Sequence, residues 1–150
     1  MEPAPILLVE DEAEDVRFVK RALQRAELAN PLVVASTVRQ AEDWCTADGR
    51  PVLILLDVYL QGEDSGLGFL QWLRAQPKPL GDTPVVIFSV SADQTHRARA
   101  EELRSALFLG KPATEEVLTD AITAFGLVRT TEIRRGKRRR WLETRKGTEV

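Results

Sequence analysis

Four short apolar runs in this chain show no alternation of apolar and polar residues, and each leads into a charged or hydroxyl side chain. Ile6-Leu7-Leu8-Val9 leads into Glu10 and Asp11, and Val52-Leu53-Ile54-Leu55-Leu56 into Asp57. Val85-Val86-Ile87-Phe88 leads into Ser89, and Ala106-Leu107-Phe108-Leu109 is followed by Gly110 and Lys111. A strand with one face in water alternates, whereas an unbroken apolar run suits a parallel strand covered on both faces. Right-handed crossovers between such strands give an α/β fold, a doubly wound parallel sheet with helices on both sides.

The segments between the runs carry helical spacing. A first helix is expected over 13–28, with Val16, Val19, Leu23 and Ala26 on one face. Leu32-Val33-Val34-Ala35 reads as a second strand. Thr37-Val38-Arg39-Gln40 is a capping-box pattern opening helix two, with Thr37 accepting from the Gln40 backbone N–H. Trp44 on that helix is expected against the sheet. Helix three is expected at 67–75, with Leu67, Leu70 and either Leu73 or Trp72 inward, and Pro77, Pro79 and Gly81 forbid its continuation. Helix four follows near 94–104, strand five at 106–110 and helix five near 115–125. Thr114 is the expected N-cap of helix five, with Glu115 and Glu116 opposing the positive helix end.

Ligand sites in open α/β sheets form outside the carboxyl ends of the strands. That rule brings Glu10, Asp11, Asp57, Ser89 and Lys111 to one edge. Three carboxylates, a hydroxyl and an ammonium suit a divalent cation beside a phosphoryl group. Mg²⁺ takes oxygen ligands and commonly uses one or two carboxylates plus phosphate and water.

The four segments I-L-L-V-E-D at 6–11, L-I-L-L-D at 53–57, P-V-V-I-F-S at 84–89 and G-K-P at 110–112 resemble, in order and spacing, the receiver domain of two-component response regulators. The resemblance covers about residues 5–125. It implies a flavodoxin-like fold of five strands in the order 2-1-3-4-5, and a signalling protein rather than an enzyme with a separate substrate. It makes Asp57 the phosphoacceptor, served by a histidine kinase or a histidine phosphotransfer protein. Mg²⁺ would be held by Asp11, Asp57 and the backbone carbonyl of Tyr59, with Glu10 acting through a metal-bound water. Lys111 would pair with the phosphoryl oxygens across a cis Lys-Pro bond. Ser89 would donate to the phosphoryl group and, moving inward, make room for the switch residue Phe108. The output would then be a changed surface on helix four, strand five and helix five. Fixed core is the alternative role for Phe108.

Several positions depart from the family pattern. Gln61 stands where a proline is usual, and the loop from Gly62 to Gly66 is one residue longer. Tyr59 can overhang the phosphate and slow its hydrolysis. Val90 replaces a smaller residue, Gly110 precedes Lys111, and Arg104 stands where helix four often ends in Gly. Glu12, Glu14 and Asp15 read as acids favouring the first helix N-terminus. His96, the only histidine, reads as plain surface.

Composition bounds the rest. At 150 residues and 43% hydrophobic content the chain can bury a core, and no apolar run approaches the ~20 residues of a membrane span. The N-terminus shows no secretory pattern, and one cysteine, Cys45, fits a reducing cytosol as a buried, inert thiol. Residues 1–125 hold 12 Lys+Arg against 20 Asp+Glu, a net −8, and residues 126–150 hold 9 against 3, a net +6. The shift marks a receiver domain at 1–125 and a basic C-terminal extension at 126–150. The extension is expected to serve folding or self-association as a homodimer, without tight nucleic-acid binding. A stand-alone receiver is expected, similar to those that pair with phytochrome-type kinases. Two other readings stay open: an inert pseudo-receiver used as a scaffold or dimer module, and a Mg²⁺-dependent aspartyl-phosphate hydrolase. The hydrolase would want a second acid where Tyr59 stands.

Overall fold

The computed structural model describes residues 2–60, 65–90 and 93–148, without the side chains of residue 65 and of 141–148. The strands are β1 (Ile6–Val9), β2 (Leu32–Ala35), β3 (Leu53–Leu56), β4 (Val85–Val90) and β5 (Leu107–Lys111). They form one parallel sheet in the order β2-β1-β3-β4-β5, the order that the resemblance implies. The helices are α1 (Ala13–Arg25), α2 (Val38–Thr46), α3 (Ser65–Arg74), α4 (Gln94–Glu102), α5 (Glu115–Ile122) and α6 (Thr130–Thr148).

The unalternating runs split by parity between two cores. Ile6, Leu8, Leu53, Leu55, Val86 and Phe88 face α1 and α5, where they meet Val19, Leu23, Leu118 and Ile122. Leu7, Val9, Ile54, Leu56, Val85 and Ile87 face the other layer, where they meet Cys45, Phe69, Leu70 and Leu73. Both faces of β1 and β3 are fully buried, and each such side chain stabilises the fold by about 1.5–3 kcal/mol. The edge strands differ: β5 is only half-covered, and Leu107 is exposed. Leu73 is the buried member of the Leu73/Trp72 pair; Trp72 instead stacks on Phe69 with ring centroids 5.8 Å apart. Trp44 lies half-buried against the same core.

The capping residues act as expected. Thr37 Oγ1 accepts from the Gln40 N–H at 3.0 Å, and the Gln40 side chain returns to accept from the Ser36 N–H at 2.8 Å. Thr114 accepts from the Val117 N–H at 3.1 Å.

Helix α1 ends at Arg25, three residues short of the expected Leu28, and the reason is local. Glu27 adopts φ 55°, and the Leu28 N–H turns back to donate to the Leu23 carbonyl at 3.1 Å. This is the paired hydrogen-bond closure usually made by glycine. The chain repeats it at the end of α4, where Arg104 has φ 60° and the Ser105 N–H donates to Ala100 O at 3.0 Å. Helix four thus stops at Glu102, two residues before the expected Arg104. After the turn at Glu27 the chain meets the segment that precedes α6, and Leu28 bridges Arg129. There the Ala29 N–H donates to Val128 O at 2.7 Å and the Thr130 N–H to Glu27 O at 2.8 Å. Buried Asn30 completes the clasp, donating to Ala4 O at 2.9 Å and accepting from the Val128 N–H at 2.7 Å. Helix α6, which no sequence pattern announced, starts from this clasp and carries Arg134, Arg135, Lys137, Arg138 and Arg139 exposed.

Candidate functional site

The carboxyl ends of β1, β3, β4 and β5 bring the five polar residues together. Burial is deep: Glu10 is 1% exposed, Asp57 6% and Ser89 0%. Single oxygens of Glu10, Asp11 and Asp57 lie within 4.8 Å of one another. Ser89 Oγ donates to Asp57 Oδ1 at 2.6 Å, and the Tyr59 backbone N–H donates to the same oxygen at 3.0 Å. Lys111 Nζ donates to Glu10 Oε2 at 2.7 Å and Asp57 Oδ2 at 3.3 Å. The Lys111–Pro112 peptide is cis.

The two oxygens of Asp57 therefore face different layers. Oδ2 meets Lys111, which lies on the α1/α5 side beside the Phe88 ring, 5.2 Å from its centroid. Oδ1 meets Ser89 and the backbone of Tyr59, whose side chain packs into the α2–α4 layer. Behind this loop, Gly66 brings the start of α3 against the strand end. A Cβ there would lie 2.1 Å from the Asp57 carbonyl oxygen, so no larger residue fits without displacing the Asp57 backbone.

The electrostatics follow from burial. Desolvation pushes the Glu10 carboxyl up from 4.5 to about 7, against the opposing hydrogen bond from Lys111. Burial pulls Lys111 down, but its bonds with Glu10 and Asp15 outweigh that, and its pKa is raised. Lys111 pairs with Glu10, Asp15 and Asp57, and Asp11 adds a fourth carboxylate beside Glu10 and Asp57. A hard divalent cation answers that excess of negative oxygen, and the donor set fits Mg²⁺.

Three participants escaped sequence reasoning. Asp15 was expected only to favour the α1 N-terminus, yet its Oδ2 accepts from Lys111 at 2.9 Å. The first turn of α1 sits beside the β5–α5 loop, a juxtaposition of residues 96 positions apart that no local pattern encodes. His96 was expected as plain surface. Its side chain is only 17% exposed, and its Nδ1 lies 3.3 Å from the Tyr59 hydroxyl and 3.0 Å from Asp93 Oδ1. Gly66, which the sequence marks only as the end of a loop, is the third. Ser89, expected to move inward with phosphate, already bonds the carboxylate. Phe108 is half-buried, with the Arg97 guanidinium 4.3 Å from its ring centroid. Gln61 and the longer loop through Ser65 fall outside the residues with described side chains. A hollow of about 610 Å³ opens beside Lys111, bounded by Phe18, Phe88, Val90 and Pro112.

The response regulator receiver domain model matches residues 6–123. The chain belongs to the response regulator receiver family. It is 31% identical over 120 residues to the transcriptional regulatory protein GltR of Pseudomonas aeruginosa, a match covering 79% of this chain and 47% of GltR. The receiver thus spans about half the length of that relative. Among solved structures it is similar to the bacteriophytochrome response regulator RtBRR, with 31% identity and a TM-score of 0.71 over 82% of this chain and 78% of the other. It is also similar to the Mn²⁺-bound form of response regulator Rcp1, with 27% identity and a TM-score of 0.69 over 81% and 91%. As a receiver it acts in two-component signalling. Among the described residues, no helix is long and apolar enough to cross a membrane.

Proposed function

We propose that this receiver accepts a phosphoryl group on Asp57 from a partner histidine kinase or phosphotransfer protein in a Mg²⁺-dependent reaction. One observation carries the reading: the Asp57 carboxylate ends the central strand between Ser89 at 2.6 Å and Lys111 at 3.3 Å, beside Glu10 and Asp11. A carboxylate oxygen attacks phosphorus, the phosphohistidine nitrogen leaves, and an acyl phosphate remains. Phosphoryl transfer asks a protein mainly for positioning and charge neutralisation. Lys111 supplies a positive charge to the transferred oxygens, and Ser89 a hydroxyl. Asp11, Asp57 and the Tyr59 carbonyl would hold Mg²⁺, with Glu10 reaching it through water; the metal, when bound, offsets the charge of the phosphoryl oxygens. The Mn²⁺ in the Rcp1 structure supports a divalent cation here.

Phosphorylation releases Ser89 from the carboxylate, and Phe108 couples that change to the α4-β5-α5 surface. Hydrogen exchange with and without beryllofluoride tests the coupling; changes confined to the Asp57 loop would refute it. The basic extension serves folding or self-association as a homodimer, and the protein works in the cytoplasm without binding nucleic acid tightly.

The deciding experiment incubates the protein with a small phosphodonor and Mg²⁺. Base-labile phosphate should appear on Asp57 and vanish in Asp57→Asn and in chelator. A folded Asp57→Asn protein that labels fully would refute the assignment. A protein that binds no beryllofluoride with Mg²⁺ would be the inert pseudo-receiver instead.

A further inference from the structure

Helix α4 is joined to the phosphoacceptor by a side-chain link that none of the roles above uses. Tyr59 takes hold of Asp57 with its backbone, donating its N–H to Oδ1 at 3.0 Å. Its ring then runs into the α2–α4 layer and meets the His96 imidazole edge-on, with centroids 5.5 Å apart and planes at 81°. The hydroxyl lies 3.3 Å from His96 Nδ1. The imidazole is itself anchored. Asp93 caps α4 by accepting the His96 N–H at 2.9 Å, and the same Asp93 oxygen lies 3.0 Å from Nδ1. Facing the Asp93 carboxylate, Nδ1 carries the proton, and that one N–H is shared between Asp93 Oδ1 and the Tyr59 oxygen, so His96 ties a residue two positions from Asp57 to the first turn of α4.

The arrangement is asymmetric in a way that matters for chemistry. On the α1/α5 side, Asp57 Oδ2 faces the Lys111 ammonium, which itself borders an open hollow. On the α2–α4 side, Oδ1 accepts from Ser89 Oγ and from the N–H of Tyr59, whose side chain reaches α4 in that same layer.

We infer that His96 is a positioning residue for the phosphoryl chemistry at Asp57: by tying the Tyr59 side chain to α4, it holds the Tyr59 N–H on the carboxylate and slows attack by water on the acyl phosphate. The inference rests on Asp57 being the phosphoacceptor. A partly buried side-chain hydrogen bond of this kind is worth a factor of about three to ten in an equilibrium. The open population of the Tyr59 loop, and with it the rate of hydrolysis, rises by about the same factor when the link is removed.

The test uses the chain of residues 1–150, labelled with acetyl phosphate and Mg²⁺, then freed of donor so that decay of the acyl phosphate is followed alone. His96→Ala and Tyr59→Phe should each shorten the half-life by about three- to tenfold. The double variant should decay no faster than the faster single one, because both changes cut the same link. Thermal unfolding of each variant is measured in parallel. A structural role for His96 alone would lower the unfolding midpoint and leave the decay of the labelled protein where it was. Half-lives equal to the unmodified protein, or effects that multiply in the double variant, would overturn the inference. Absence of label on the unmodified protein is a different result; it would overturn the assignment of Asp57 and this role of His96 with it.

Discussion

Glu10 offers a direct measure of how this site balances burial against pairing. The carboxyl is 1% exposed, and its pKa in the fold is about 7 against an ordinary 4.5. The folded protein therefore holds the proton more tightly than the unfolded chain does. Stability associated with the protonated group is fully present below pH 4.5 and is lost as pH rises through about 7. Each pH unit between the two values is worth about 1.4 kcal/mol, so by pH 8.5 ionised Glu10 destabilises the fold by roughly 3 kcal/mol. Glu10→Gln keeps the shape and removes the titration. In chelator it should be more stable than the unmodified protein by about 2–3 kcal/mol at pH 8.5 and equal to it at pH 4. Added Mg²⁺ should narrow the gap, because a cation compensates the carboxylates of the original site and gains less from the amide. Urea unfolding at both pH values, with chelator and with Mg²⁺, reads the four numbers. A Glu10→Gln protein that is less stable at pH 8.5 in chelator would refute the reasoning. It would mean that the 2.7 Å bond to Lys111 outweighs the desolvation of Glu10.

Three further outcomes are expected. Gly66→Ala places a methyl 2.1 Å from the Asp57 carbonyl oxygen; it should cost about 1–3 kcal/mol in denaturant unfolding and reduce labelling of Asp57 more than labelling falls in Gly68→Ala, where a Cβ meets open space. Asn30→Ala leaves the Val128 N–H and the Ala4 carbonyl without their partner, costing about 1–3 kcal/mol, and limited proteolysis should cut near Arg129 faster than in the unmodified protein. Cys45 is buried, and burial pushes its thiol up to about 11, so a thiol reagent at pH 8 should react only on unfolding; rapid modification of the native protein would contradict its place in the core.

Much of the site is legible in the sequence, and for a physical reason. A buried parallel strand must be apolar over its whole length, so the residue at which polarity begins marks its carboxyl end. Glu10, Asp57 and Ser89 announce themselves in that way, and the caps Thr37 and Thr114 do so through contacts three residues apart. Strand order did not follow from the runs themselves; it came with the resemblance and matches the structure.

What local patterns carry ends where layers meet. Asp15 on α1 reaching Lys111 on β5, His96 on α4 reaching Tyr59 after β3, and Asn30 holding Val128 join residues 96, 37 and 98 positions apart. None of these pairs has a periodicity or spacing to betray it, because each depends on how a helix is seated on the sheet. The charge shift at the C-terminus showed that residues 126–150 differ from the body; only the pairing of 127–130 with the strained turn at Glu27 decided where α6 begins. The sequence by itself determined the buried strands and the acids at their ends, since those follow from polarity along the chain. Tertiary structure alone decided which groups bind those acids from the flanking layers, since that follows from the packing of helices onto a sheet they do not adjoin in sequence.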